Sequence, residues 1–269
     1  MMPKIPKRVN PAGAIAGVFL AIGVLLLVFA VFLEQQVIAF IGLGFTFWGA
    51  IFALTRSNRY VEGILLDSTA ESTYTTIDRM VNDLTFTKQG YYIPAYPRDV
   101  SLPDYLKTLK EPVVFISAPS LNGTPSVDEL AQGKFLSTRS QGIFIISPGA
   151  GLLAQMEKQV QLDFSKISLQ ELAEVLPRLL TDVFTLAKTA DLKLTENGAV
   201  FKATGIVYES LYHAQPPLKS VNILGCPVVS AVASALAKTS QKMVVISEQV
   251  LSPNICGVNA TFNFVGGSQ

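Results

Sequence analysis

Residues 11–33 run PAGAIAGVFLAIGVLLLVFAVFL without a single charge, and residues 37–55 form a second uncharged run after only Glu34, Gln35 and Gln36. At about 1.5 Å of rise per residue, helices of this length match a hydrocarbon core of about 30 Å. The pattern predicts a transmembrane helical hairpin over 11–55, with spans at 11–33 and 37–55. Lys4, Lys7 and Arg8 precede the first run as they would precede a signal peptide. A signal's apolar region is about 7 to 15 residues and ends at a small-residue cleavage site, whereas this one continues through Phe32-Leu33-Glu34 into another span. Both helices are therefore expected to be retained.

Basic residues flank the outer ends of the hairpin (Lys4, Lys7 and Arg8 before it, Arg56 and Arg59 after it), and none lies in the turn. This asymmetry predicts a cell-membrane protein with two spans and both termini cytoplasmic: a tail over 1–10, the hairpin over 11–55 and a cytoplasmic globular domain over 60–269. Gly13, Gly17 and Ala21 recur at four-residue spacing in the first span, and the second carries Gly42, Gly49 and Ala53. Small residues let helix backbones approach, so these stripes predict packing of the two helices within one chain. Self-association, or docking on another membrane protein, is the alternative use of the same surface.

Beyond the hairpin the periodicity changes. Ser68-Thr69-Ala70-Glu71 has capping-box spacing, and Ala70, Tyr74, Ile77, Val81 and Leu84 then recur at steps of four and three, predicting an amphipathic helix. The segment GYYIPAYP is extended. A short helix is expected over 99–110, strands over 113–116 and 142–147, a turn at Asn122-Gly123, and a brief helix from a second capping box at 126–129. Strand 142–147 leads into Pro148-Gly149-Ala150-Gly151 and a helix over 152–160. Ser168 and Glu171 open the longest soluble helix, with an apolar face from Leu172 to Ala187 that Pro177 should bend or break after Leu176. Runs 191–195 and 199–204 around Glu196-Asn197-Gly198 read as a hairpin. An Ala/Val-rich helix from Cys226-Pro227 to about Thr239, then strands over 243–247 and 258–265, close the chain. Helices and strands interleave, so the fold class is α/β or α+β with a mixed sheet.

Composition sharpens this picture. The mean hydropathy of +0.40 with only 15% charged residues is too apolar for an ordinary soluble chain. Of 21 Lys and Arg and 20 Asp and Glu, 16 basic and 19 acidic residues lie beyond residue 59. A mildly acidic domain is not expected to bind nucleic acid. The lipid bilayer is the expected partner of the hairpin.

Catalytic groups are scarce. His213 is the only histidine, which excludes metal sites built on two histidines and leaves one residue for any triad; no metal site and no cofactor is expected. Asp78, Asp83, Asp99, Asp104 and Asp163 show no spacing that singles out an acid and base pair. Cys226 is the weak catalytic candidate: Gly225-Cys226-Pro227 before a helix puts a thiol where the helix dipole favours a thiolate. The alternative is a small buried residue in a tight turn, favoured by the apolar Ile223, Leu224, Val228 and Val229. A disulfide with Cys256 is not expected in a reducing compartment. The weak ligand candidates are Gly149 and Gly151, whose strand, turn and helix context suggests an anion cradle without a P-loop ending, and Tyr91 and Tyr92, which with Tyr96 and Arg98 would line a groove.

Phe40 to Gly49 (FIGLGFTFWG), Gly90 to Pro94 (GYYIP), and Leu224 to Pro227 (LGCP) followed by Ser230-Ala231 together resemble a group of uncharacterised archaeal membrane proteins with an N-terminal two-helix hairpin and a cytoplasmic α/β domain. That resemblance implies the topology and carries no activity. A looser similarity, in the closing helix and two strands, is to small-ligand-binding domains of the vinyl-reductase and trafficking-protein type, and transfers no residue. The expected function is a membrane-anchored, non-enzymatic cytoplasmic module that binds a partner protein or small ligand. An enzyme with Cys226 as nucleophile and a structural subunit of a larger membrane complex are the alternatives.

Overall fold

The computed structural model describes residues 11–54, 63–96, 110–120, 129, 132, 134–252 and 257–266. The chain divides into two compact units, residues 1–61 and 62–269. The expected helix over 99–110 (apart from Lys110), the Asn122-Gly123 turn and most of the 126–129 capping box lie outside the described residues, as do the basic residues that flank the hairpin.

In the first unit, α1 (Pro11–Leu33) and α2 (Gln36–Leu54) pack side by side, reversing through Glu34, whose φ of 50° is left-handed. The seam has a seven-residue period. Ala16, Gly23 and Ala30 are buried on α1, and Gly42 and Gly49 on α2. A Cβ added to Gly23 would lie 2.6 Å from the Thr46 backbone nitrogen, one on Gly42 3.0 Å from that of Leu27, and one on Gly49 2.8 Å from that of Leu20. The helices therefore touch backbone to side-chain root, and Phe19 closes one side against Phe45 and Phe52 with ring centroids 5.4 and 5.7 Å apart.

The four-residue stripe of the sequence is not this seam. Gly17 and Ala21 are exposed, and nothing lies within 4 Å of a Cβ on Gly17; the surroundings of Gly13 lie outside the described residues. Helices crossing at a shallow angle meet every second turn along a 3.5-residue stripe, so a period of seven is retained and a period of four drifts off the interface. Ile15–Leu33 is long and apolar enough to cross a membrane, and only 17% of it is buried; Gln36–Phe52 is a shorter apolar helix. Lys219–Ser240 passes the same test of length and apolarity, yet 89% of it is buried inside the second unit.

The second unit holds α3 (Gly63–Asp83), β1 (Gln89–Ile93), β2 (Val113–Ser117), β3 (Leu136–Ser137), β4 (Gly142–Ile146), α4 (Ala150–Val160), α5 (Leu169–Arg178), β5 (Thr189–Thr195), β6 (Gly198–Thr204), α6 (Lys219–Leu224), α7 (Pro227–Ser240), β7 (Met243–Ser252) and β8 (Gly257–Val265). The strands form an eight-stranded sheet ordered β3-β4-β2-β1-β7-β8-β6-β5. Every described pairing is antiparallel, so the architecture is α+β and the expected mixed sheet is corrected. The helices fall between antiparallel pairs: the chain leaves β4, next to one edge, crosses through α4 and α5, and starts again at the far edge with β5. None serves as the crossover of a parallel βαβ unit.

Helix α7 is the centre of the core. Every residue from Pro227 to Lys238 is buried, which a helix achieves only with small side chains packed on all sides. It lies against the sheet face of Tyr92, Val114, Ile143, Phe201, Val244 and Phe262, in one cluster with Tyr74, Val81, Leu153, Met156, Leu172 and Leu176 from α3, α4 and α5. The other sheet face carries a smaller buried cluster of Tyr91, Ile93, Val113, Phe115, Phe144 and Val245.

Local signals fare differently. The Ser168 capping box forms in full, with Glu171 N–H donating to Ser168 Oγ at 3.2 Å and Ser168 N–H to Glu171 Oε2 at 2.8 Å. Pro177 ends regular helix at Arg178 and the chain loosens into a π turn, Leu179–Val183. The Ser68 box is not a cap: α3 starts five residues earlier, and Ser68 Oγ donates back to the Leu65 carbonyl at 3.1 Å, a bond a helix interior tolerates. The hairpin forms as β5 and β6, but Gly198 is required by close approach, since its Cβ would lie 1.9 Å from the Phe262 carbonyl oxygen.

A buried ion pair is held in this core. Lys238, at 2% exposure, donates from Nζ to Glu157 Oε1 at 2.6 Å and to Asp163 Oδ1 at 2.8 Å, and Glu157 also accepts from the Phe164 N–H at 2.9 Å. Removing the ammonium would leave a buried carboxylate uncompensated. Lys238→Met is expected to cost about 3–5 kcal/mol in chemical unfolding of the purified chain. In the hairpin, Gly23→Leu is expected to cost about 1–3 kcal/mol by forcing backbones apart, and Gly17→Leu close to nothing; thermal melts of the α-helical signal in mild detergent separate the two.

Candidate functional site

Cys226 is the N-cap of α7, with Pro227 at the first helical position, as the spacing predicts. The turn before it needs Gly225, whose φ is +70° and whose Cβ would lie 2.6 Å from Val229 Cγ1. Ending α6 and starting α7 within three residues leaves carbonyls at the end of α6 short of helical partners, and side chains from three distant elements supply them. Tyr74 donates to the Gly225 carbonyl at 2.5 Å and Tyr92 to the Leu224 carbonyl at 2.5 Å. Gln249 Nε2 donates to the carbonyls of Val221 at 3.3 Å and Asn222 at 3.1 Å. Its Oε1 accepts from Tyr212 at 3.2 Å, and that same hydroxyl accepts the Cys226 N–H at 3.1 Å.

This cage seals the thiol, which is fully buried. Burial pushes the Cys226 thiol above its ordinary value, outweighing the hydrogen bonds from Tyr212 and from the Val228 and Val229 amides that favour a thiolate. Desolvation therefore beats the helix dipole here. Burial also raises Tyr74, Tyr92 and Tyr212, so all three remain neutral. Cys226 is a free thiol in a closed turn; Cys256 lies outside the described residues.

A second polar group sits one turn further along α7. Ser147, in the turn after β4, has its Oγ 2.9 Å from Ser230 Oγ and 2.7 Å from Ser234 Oγ. Ser230 Oγ accepts the Gly149 N–H at 3.1 Å and lies 3.0 Å from Tyr92 Oη, and Ser234 donates to the Ser230 carbonyl at 2.9 Å. These hydroxyls satisfy one another. The suspected anion cradle is this contact: a Cβ on Gly149 would fall 2.1 Å from the Ala231 nitrogen, so the space a phosphate would need is filled by α7. Gly151 is exposed, with nothing within 4 Å of its Cβ. The two glycines do not share a site.

Tyr91 and Tyr92 do not share a groove either. Neighbours in a strand point to opposite faces: Tyr92 joins the α7 cluster, and Tyr91 joins Phe115 on the far face, ring centroids 6.5 Å apart. Tyr96 is exposed, and Arg98 lies outside the described residues. His213 is on the surface, with Nε2 3.8 Å from Glu209 Oε1. Asp78 accepts from the Ser220 and Lys219 amides at 2.6 and 3.1 Å, capping α6 from α3. Among the described residues no group of three His, Cys, Asp or Glu side chains converges as a metal site.

Three of the clefts among the described residues bear on these candidates. One of about 410 Å³ lies between Phe86, Pro119 and Thr138, and one of about 570 Å³ between Gln155, Lys158, Asp163 and Lys166. The third, of about 690 Å³, lies on the hairpin between Leu20, Phe40 and Phe47. None of the three is lined by Cys226, Gly149, Gly151, Tyr91 or Tyr92. The sequence reading missed the serine group and the Tyr212–Gln249 clamp. Only the spacing of Ser230 and Ser234, one turn apart on an Ala/Val-rich helix, marked them beforehand.

The chain belongs to the family described as a domain of unknown function (DUF7982), whose match covers residues 8–252 and so includes both the hairpin and most of the second unit. No curated protein and no solved structure matches it.

A sealed, protonated thiol reacts slowly. In the native chain iodoacetamide at neutral pH is expected to label Cys226 far more slowly than a free-thiol standard, with full labelling only after denaturation, read by mass spectrometry of the tryptic peptide. Cys226→Ser exchanges a buried thiol for a more strongly hydrated hydroxyl and is expected to cost about 1–3 kcal/mol of stability.

Proposed function

We propose that this chain is a membrane-anchored cytoplasmic module that works by binding through its surface, with the hairpin as its anchor and the α+β unit as the binding body. The observation that carries this reading is the distribution of apolar side chains on the hairpin. Val31, Phe32, Phe40, Phe47 and Trp48 are 79%, 82%, 74%, 63% and 53% exposed, while the residues turned inward are glycine and alanine. In water such a surface would be an aggregation site; in lipid it is the surface a helix needs. The contrast with Lys219–Ser240, less apolar and almost wholly covered by its own unit, supports the distinction between anchor and core. The family match across hairpin and domain supports reading the two as parts of one working unit and not as a cleaved leader and a mature protein.

The binding role rests on the closed interior. The thiol, the tyrosines and the serines that would attract a catalytic reading are all committed to one another around α7. The basic residues outside both spans support a cytoplasmic orientation of the binding body.

Protease added to intact cells that express the full chain with a C-terminal epitope is expected to leave the epitope and the domain whole, and to degrade them once the membrane is permeabilised. Cleavage beyond residue 60 in intact cells would reverse the orientation. Release of the chain by alkaline carbonate, without detergent, would remove the anchor.

A further inference from the structure

Two of the elements that close over Cys226 are joined to each other by a carboxyl group. Helix α3 supplies Tyr74 to the Gly225 carbonyl, and the turn Glu209–His213 supplies Tyr212 to the Cys226 N–H. Two helical turns before Tyr74, Asp67 of α3 accepts a hydrogen bond from the side chain of Ser210, in that same turn.

The place is a poor one for a carboxylate. Oδ1 of Asp67 is buried and makes no hydrogen bond, and a buried acceptor left unmet costs free energy. The charged groups that act on Asp67 are both acidic: Glu71, one turn on along α3, and Glu209, next to Ser210. Tyr208 lies within reach of the Asp67 charge and, raised itself by burial, stays neutral. His213 meets Glu209, with Nε2 3.8 Å from Oε1, and its side chain is 65% exposed. Burial first, and then the two carboxylates, hold the Asp67 carboxyl above its ordinary value; the Ser210 hydrogen bond opposes them and is outweighed. With a proton bound, Asp67 no longer presents a charge to Glu71 and Glu209, and burial no longer works against the contact.

We propose that Asp67 is a proton-operated latch between α3 and the turn 209–213: protonated, it holds the turn, and with it Tyr212, closed over Cys226, and ionised, it lets the turn open more readily. When the turn opens, Asp67 returns to water and to the ordinary carboxylate value, so opening releases a proton and acid favours the closed form. The added hold is fully present below the ordinary value of about 3.9 and is lost as the pH rises through the higher value of the closed form. Tyr212 is the lever, because its hydroxyl accepts the Cys226 N–H at 3.1 Å and donates to Gln249 Oε1 at 3.2 Å.

The test uses the full chain in mild detergent and follows native-state exchange of the Cys226 amide from neutral pH down to about pH 4, each rate corrected for the intrinsic rate at that pH and read by mass spectrometry with fragmentation to single residues. In the native chain, protection of this amide is expected to rise severalfold as the pH falls. Asp67→Asn, which is neutral throughout, is expected to protect the amide more than the native chain at neutral pH, to match it at the acid end, and to lose this rise. Glu209→Gln, at a position 35% exposed, removes one like charge and is expected to move the rise to lower pH. His213→Gln is expected to leave it in place. Protection that does not change with pH in the native chain, a rise that Asp67→Asn retains in full, a rise that Glu209→Gln does not move, or one that disappears with His213 would each overturn the proposal.

Discussion

A helix buried along its whole length is the constraint from which most of this domain follows. From Pro227 to Lys238 no residue of α7 reaches solvent, so its side chains are kept to Val, Ala, Ser and one Leu before the terminal Lys. Every polar group it carries must find a partner in the interior, where an unmet hydrogen bond costs about 1–3 kcal/mol. The surrounding elements supply those partners at positions far apart in sequence: Tyr92 and Ser147 at one level of the helix, Tyr74, Tyr212 and Gln249 at its start, and Glu157 with Asp163 at its end. The polar interior of this protein is thus explained by one packing decision.

The same constraint explains what the sequence reveals and what it conceals. Elements whose signal is local are legible: the Ser168 and Glu171 cap, the strands at 113–117 and 142–146, and the helix that starts at Pro227. Pairing partners are not, because the alternation of helices and strands that suggests a mixed sheet is equally produced by antiparallel pairs with helices between them. Gly149 and Gly198 show the limit at single residues. Each looks like a glycine chosen for turn geometry, and each is fixed by a neighbour remote in sequence, Ala231 and Phe262, whose backbone leaves no space for a Cβ. Tyr91 and Tyr92 could have been separated from sequence alone once 89–93 is taken as a strand, since adjacent residues there cannot face one groove.

Cys226 was the most conspicuous candidate for chemistry because the motif that starts a helix also activates a thiol. The structure divides the two roles by access. Amide groups and the dipole favour the thiolate, burial disfavours it, and with no water in contact burial wins. Neither the spacing of Gly225, Cys226 and Pro227 nor the apolar residues around them contains the tyrosines that close the site, which come from α3, β1 and the 209–213 turn. Accessibility is a tertiary quantity, and a lone cysteine in sequence carries none of it.

The hairpin uses the same resource as the interior of the domain, the removal of side chains where backbones approach. In α1 and α2, glycine at 23, 42 and 49 lets two helices of one chain meet, and the intrachain contact consumes the seam: the atoms a Cβ would strike belong to the partner helix. A seam satisfied within the chain in this way has little left for a partner helix.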